Sequence, residues 1–308
     1  MVADSERTVL TYDVGGSHVS AAVCHGGAYQ LGPVVSAQYP DDQSTDAFLR
    51  LIYTLGVEAS AHIVGTSGAE LAMPGPFDFD AGVSWMRHKL PYLYGVNPRQ
   101  PLARQFGWDP GQVRFLKDAS AFLLGEIGAG AARGVSRTVG ITLGTGIDSA
   151  FAVDGRLVTE GTGVAPLGEI WNLPYEGGIV EDFVSTRAIQ RNYERSTGAI
   201  REVCNIAAAG ENDPAATAVF IEFGRQLGLA IRMALSEFAP QVVVLGGGIS
   251  RSAHLFLPTA QSQLGDLRIQ LVVSALKDHA PLVGAAAAWF DCDNAANAPS
   301  LLAASGRT

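Results

Sequence analysis

Asp118 stands where a carboxylate can act as a base. Strand-forming residues precede it in Phe115-Leu116-Lys117, and Ala119-Ser120-Ala121 opens a helix. An acid at such a junction either caps the helix, which is worth about 1 kcal/mol, or takes the proton of an attacking hydroxyl. Three glycine turns could hold phosphates. Asp13-Val14-Gly15-Gly16-Ser17 ends a strand with a glycine pair, whose bare N–H groups can approach phosphate oxygens, and the Asp13 carboxylate suits Mg²⁺ held through water. Leu143-Gly144-Thr145-Gly146 adds a hydroxyl to the same device. Gly246-Gly247-Gly248 joins an apolar strand to a helix, a corner at which a phosphate or a flat ligand can lie against backbone. Its spacing is neither G-x-G-x-x-G nor a P-loop with its lysine. Met73-Pro74-Gly75-Pro76 is a rigid turn that exposes amides, and Glu169 and Glu181 flank the irregular stretch WNLPYEGGIV. Carboxylates there can accept hydrogen bonds from polyol hydroxyls. Taken singly, each piece is equally an ordinary hairpin, cap or loop.

The elements that must position these residues show an internal repeat. TVLTYDVGGSHVSAAVCHGGAYQLG near the start lies on RTVGITLGTGIDSAFAVDGRLVTEG in the middle, with Asp13 on Thr142, Gly15 on Gly144 and Gly26 on Gly155. Each copy reads strand, glycine turn, strand, glycine turn, strand. Asp154-Gly155 carries a type I′ hairpin signal. Two glycine hairpins so related predict two lobes whose turns face one another across a cleft. Further strands are expected over 62–68, 112–116, 241–249 and 269–276. Helices are expected over 44–57, 119–133, 182–196, 214–238, 250–263 and 281–291, and an irregular stretch over 91–107. Alternating strands and helices make the class α/β.

Composition narrows the function. The chain has 308 residues, 47% hydrophobic, so a sizeable core or two lobes are within reach. Its net charge is −9, with basic residues scattered singly, which argues against nucleic acid and anionic membranes as partners. Cys24, Cys204 and Cys292 are odd in number and far apart, which excludes a disulfide framework or a cysteine zinc site and fits a cytoplasmic protein. The short polar start reads as no signal peptide, and the longest apolar runs are too short to span a bilayer.

Together and in this order, the segments resemble the ROK family of bacterial sugar kinases and sugar-responsive repressors, from about Thr8 to Phe290. DVGGS and TLGTGI are similar to its two phosphate motifs, MPGPFD to its sugar loop, KDASAFLLGE to its catalytic segment, VVVLGGGIS to its adenosine motif and LVGAAA to its closing helix. The resemblance implies a two-lobed actin-like (ribonuclease H-like) ATPase fold. Residues 1–117, completed by a helix over 281–308, would form one lobe and 118–280 the other. It implies ATP and Mg²⁺ as cofactors, with Asp118 as base in transfer of the γ-phosphoryl group to a hydroxyl, the 6-hydroxyl of a hexose or derivative. Nucleotide and phosphate contacts fall on Asp13 (also the Mg²⁺ residue), Gly15, Gly16, Ser17, Gly144, Thr145, Gly146, Gly246, Gly247 and Gly248. Sugar contacts fall on Pro74, Gly75, Lys117, Asp118, Glu169, Asn172 and Glu181. A homodimer is implied. Four departures set this chain apart from the family pattern. Lys117 stands where the family usually has asparagine, Lys89 stands near another usual asparagine, Asn172 stands at the position of a histidine, and the family's cysteine zinc cluster is missing. The 169–181 loop is therefore expected to be ordered without zinc, through packing of Trp171, Pro174 and Tyr175. A non-catalytic sugar-binding or regulatory member is the alternative reading.

Overall fold

A computed structural model describes residues 7–40, 44–61 and 65–297. The chain divides into two units, Met1–Lys117 with Ala285–Thr308, and Asp118–Gly284. Among the described residues, no helix is long and apolar enough to cross a membrane.

The first unit opens with β1 (Thr8–Val14), β2 (His18–His25), β3 (Gln30–Leu31) and β4 (Val35–Gln38), followed by helix α1 (Thr45–Ala59). Strands β5 (Ala69–Met73), β6 (Phe77–Asp78) and β7 (Val83–Ser84), helix α2 (Arg99–Phe106) and strand β8 (Val113–Lys117) complete it before the C-terminal helix returns. The sheet runs β3-β2-β1-β5-β8, with β4 also on β2; β1, β5 and β8 are parallel and the meander antiparallel. Buried Leu10, Tyr12, Leu71 and Met73 pack against Phe48, Ile52 and Leu55, which recur at helical spacing along α1. Ser44 starts that helix by accepting from Ala47 N at 3.2 Å.

The second unit begins with α3 (Asp118–Ala129), β9 (Arg137–Leu143), β10 (Ile147–Val153) and β11 (Arg156–Val158). A small hairpin, β12 (Pro174–Tyr175) with β13 (Gly178–Ile179), then leads into α4 (Val180–Phe183), α5 (Thr186–Thr197), α6 (Val203–Ala209) and α7 (Pro214–Leu235). Strand β14 (Val242–Gly246), helix α8 (Leu257–Gln263), strand β15 (Gln270–Val273) and helix α9 (Ala280–Asn297) follow. The sheet order β11-β10-β9-β14-β15 repeats that of the first unit: a meander, then two parallel additions. Asp213 caps α7 on Ala215 and Ala216, with Pro214 in the first turn, and the buried stripe through Phe220, Phe223, Leu227 and Ile231 covers the sheet. The later turns of α9 belong to the first unit, where Trp289 and Phe290 pack on Val9 and Cys24.

The repeat is present as topology, but its register differs from the sequence alignment. Val14 pairs with Val19 in one copy and Leu143 with Ile147 in the other, so the second loop is one residue shorter. After the turn the match shifts by one: Gly27, at φ 79°, is the counterpart of Gly155, at φ 80°, and Gly26 is not. Asp154, at φ 50°, and Gly155 form the expected type I′ pair.

Other expectations need correction. Of the strand expected over 62–68, residues 62–64 lie outside the described residues and 65–68 are not strand; the strand is β5. All five of its residues are buried, and a charged one among them, Glu70 at 4% exposure, breaks the apolar pattern that would have revealed it. The stretch 91–107 contains α2 rather than irregular chain. Pro98 caps it and Pro101 falls in the first turn, where no N–H is required, while Gly107 ends it in the left-handed conformation. The helix expected over 182–196 is two, α4 and α5, because Ser185 interposes an extended N-cap. The span 250–263 starts as 3₁₀ turns over Gly248–Leu255 before α8.

Burial also sets the reactivity of the thiols. Cys24 is buried, which pushes its pKa up from 9.0 to about 12, whereas Cys204 and Cys292 are exposed. Native protein at pH 8 should therefore titrate two fast thiols with Ellman's reagent, and a third only on unfolding. A folded-state pKa raised above the unfolded value contributes stability below pH 9 that is lost as pH climbs towards 12. The melting temperature of a Cys24→Ala variant should accordingly fall less steeply with pH in that window.

Candidate active site

In the first unit, the residues singled out by type gather at the carboxyl ends of the three parallel strands. Asp13 of β1 lies beside Ala72 of β5, and Met73 of β5 beside Lys117 of β8. Pro74 and Gly75 therefore leave β5 next to the end of β8, the edge at which open α/β sheets place ligands. The turn after β1 is fastened from two sides: Gly15 N donates to His18 O at 3.0 Å, and Tyr39 OH donates to Gly15 O at 2.7 Å. Tyr39 is held protonated well above its usual pKa, first by burial, then by Tyr92 and by the negative charge of Asp13. Tyr39 had no signal in the sequence, since it comes from β4's far end and only pairing of β4 with β2 brings it to the turn. Gly16 and Ser17 are exposed on that turn. Asp13 offers a hard oxygen donor beside this open turn, which fits Mg²⁺ held through water.

Beyond Gly75 the chain folds into the β6–β7 hairpin. Trp85 N donates to Pro76 O, and Ser84 N to Val96 O, each at 3.0 Å. Arg99 fastens this excursion from below, donating to Asp80 O at 2.9 Å and Val113 O at 3.1 Å. Lys89 lies exposed on the same excursion.

In the second unit Asp118 is the first residue of α3, joined by a peptide bond to Lys117 at the end of β8. Its Oδ1 accepts from Ala119 N, the residue next to it, at 2.8 Å. The loop between β9 and β10 presents Gly144, Thr145 and Gly146. Gly144 O is held by both Thr186 N and Thr186 Oγ1 at 2.9 Å, at the start of α5. Gly146 is glycine for a visible reason: a Cβ there would stand 2.0 Å from Glu181 Oε2. Glu181 in turn receives Arg187 at 3.0 Å. Thr186 and Arg187 were not among the residues picked from sequence, where only their place after a capping serine distinguishes them.

β14 ends beside β9, with Gly246 opposite Thr142. Gly246 is buried, whereas Gly247 and Gly248 are exposed. Gly247 takes φ 81°, and a Cβ on it would meet Leu143 O at 2.4 Å, so this corner passes directly under the first loop's root. Of the three glycines, 247 and 248 are thus the ones whose backbone a ligand can meet.

The loop carrying Glu169, Asn172 and Glu181 is closed by hydrogen bonds and packing. Ser149 Oγ donates to Gly168 O and accepts from Ile170 N, and Glu181 N donates to Trp171 O at 3.0 Å. Glu169 Oε2 accepts from Trp171 Nε1 at 2.8 Å, and Asn172 is exposed. Tyr175 is buried in the core, donates to Gln226 at 2.6 Å and meets Phe183 edge-on. Trp171 and Leu173 pack against the same core. Pro174 is exposed and does not share in the packing, because the alternation of β12 turns it outward while Tyr175 points in. Among the described residues no group of three or more His, Cys, Asp or Glu is placed to hold a metal.

The ROK family model matches residues 9–291. The chain belongs to the ROK family. A glucokinase of Thermotoga maritima is 26% identical over 314 residues, covering 90% of this chain and 96% of the relative. Among solved structures, a ROK hexokinase from Thermus thermophilus superposes with a TM-score of 0.77 at 24% identity, over 93% of this chain and 99% of that one. A ROK family glucokinase from Streptomyces griseus, in complex with glucose and AMPPNP, gives a TM-score of 0.76 at 22% identity, over 91% and 98%. The fold of this ROK chain is accordingly that of the two-lobed actin-like kinases, and the duplicated sheets described above are its two halves.

Proposed function

We propose that this ROK protein is an ATP-dependent sugar kinase that transfers the γ-phosphoryl group to the 6-hydroxyl of a hexose or hexose derivative. The observation that carries the reading is the position of Asp118. It is a carboxylate at the head of α3, one residue beyond a parallel strand whose neighbour leads into Pro74-Gly75. The related enzymes named above are a glucokinase and a hexokinase, and one holds glucose with an ATP analogue.

In this reading Asp118 accepts the proton of the attacking hydroxyl, and positioning and charge stabilisation do the rest. The amides of Gly144–Gly146 and of Gly247–Gly248 bind phosphate and nucleotide. Asp13 would hold Mg²⁺ through water, and the ion when bound neutralises charge on the outer phosphates. Pro74, Gly75, Glu169, Asn172 and Glu181 orient the sugar. Thr186 and Arg187 act at one remove, the first by fixing Gly144 O and the second by holding Glu181.

Release of ADP over a panel of hexoses and amino sugars, with a no-sugar control, tests the reading. ADP formed only with a sugar supports it. ADP without sugar would make the protein an ATPase, and sugar binding without ADP a non-catalytic member of the family. Gly146→Ala gives a sharper check. The added methyl group must displace Glu181, so KM for the sugar should rise by roughly tenfold, the equivalent of about one good hydrogen bond, while the thermal midpoint moves little.

A further inference from the structure

Three exposed side chains on the β6–β7 excursion form a cluster that the core does not use. Trp85 is 47% exposed and Tyr94 44%. Their rings meet edge-on at 5.7 Å. The Arg87 guanidinium lies 4.2 Å over the Tyr94 ring and donates to its hydroxyl at 2.6 Å. Large aromatic side chains on a surface usually occur singly. Here two are in contact and oriented by a cation, and the backbone beneath them is hydrogen-bonded from both sides. Gly95 N donates to Ser84 O at 2.7 Å, and Ser84 N to Val96 O at 3.0 Å. The cluster is therefore a rigid platform, needing little ordering when a ligand arrives.

Its place gives it meaning. Trp85 N is bonded to Pro76 O, one residue past Gly75. The platform thus continues the Pro74-Gly75 turn outward. An indole face stacks on the CH-rich face of a pyranose or on an aromatic ring, and a guanidinium held over the neighbouring Tyr94 can donate to ring or hydroxyl oxygens.

We propose that Trp85, Arg87 and Tyr94 form an outer acceptor subsite that takes a second ring, so that the acceptor class includes glycosides and disaccharides as well as free hexoses. This rests on Pro74-Gly75 being the acceptor turn. The ring bearing the reactive hydroxyl occupies the inner site, and the distal ring lies on Trp85.

The test compares glucose, phenyl β-glucoside and a glucose disaccharide against the full-length protein and its Trp85→Ala and Arg87→Ala variants. For the two-ring acceptors, Trp85→Ala should raise KM roughly 5- to 10-fold, the worth of one aromatic contact, with kcat unchanged and glucose unaffected. Arg87→Ala should act in the same direction. Equal effects on glucose and the two-ring acceptors, or no effect on any, would overturn the subsite. So would a change in oligomeric state on gel filtration with KM unmoved, which would make the cluster a protein contact. Direct binding keeps the matter separate from turnover. In a variant whose other tryptophans, Trp108, Trp171 and Trp289, are replaced by Phe, the Trp85 emission should shift with phenyl glucoside and not with glucose. A shift in that variant, with no ADP released by the unsubstituted protein, would leave the subsite standing and remove the kinase reading; ADP release by the unsubstituted protein with glucose, and no shift in the variant, would do the reverse.

Discussion

Asp118→Asn is expected to lower kcat by about 10²–10⁴, the usual contribution of a positioned general base, while sugar and nucleotide still bind. The structure explains why binding should survive. The Asp118 carboxylate uses Oδ1 to accept from Ala119 N, and an asparagine can make that bond with its own oxygen. What it cannot do is take a proton. Single-turnover measurement of ADP formation, beside calorimetric titration of sugar and of nucleotide, separates the two. Near-normal turnover in this variant would show that Asp118 is the helix-capping acid its sequence position equally allows. Lys117, its neighbour in the chain, should be varied in parallel. If that cation helps to balance the charge of the reacting groups, Lys117→Ala should lower kcat more than it raises KM.

Glu126 should dominate stability rather than catalysis. It is fully buried in α3, and its carboxylate receives four donors. Oε1 accepts from Ser274 Oγ at 2.5 Å and Leu276 N at 3.0 Å, and Oε2 accepts from Ala131 N at 2.6 Å and Ala275 N at 3.2 Å. One side chain thereby fixes the turn that ends α3 and the chain that leaves β15. Glu126→Gln replaces an acceptor by an NH₂ group that faces donors whichever way it turns. Hydrogen bonds to a charged group are worth about 1.5–3 kcal/mol each, and an orphaned buried donor costs a similar amount. A loss of roughly 3 kcal/mol is expected, which lowers the apparent melting temperature by about 6–12 °C for a unit of this size. The exposed Glu160→Gln, as control, should move it by less than about 2 °C. Equal melting of the two variants would show that the network is not what holds the turn.

These two residues show how unevenly a sequence displays its chemistry. Asp118 was legible as a candidate because it follows a strand and opens a helix within an ordered series of turns. Glu126 lies in the same helix, on a segment that reads as apolar, and its four donors come from as far away as residue 276. Nothing in the spacing of KDASAFLLGE announces them. The same division runs through the candidate site. Gly144-Thr145-Gly146 is visible as a turn, but the Thr186 that grips it is 42 residues further on. Tyr39, on Gly15 O, is brought there by strand pairing alone.

The sequence by itself determined the local chemistry of this ROK chain: which strands end in glycine turns, that two copies of one hairpin are present, where the carboxylates stand and that the three cysteines are scattered. Those properties depend on neighbours within a turn or two, and they survive reading in one dimension. Only the tertiary structure decided what lies beyond that range. It set the register of the second hairpin, because a loop one residue shorter moves every later pair. It placed Pro74-Gly75 beside the end of β8, because parallel pairing is made between strands about 40 residues apart. It turned Pro174 outward and Tyr175 inward. It also gave Gly146 its reason, because contact with Glu181 arises only when the loop closes.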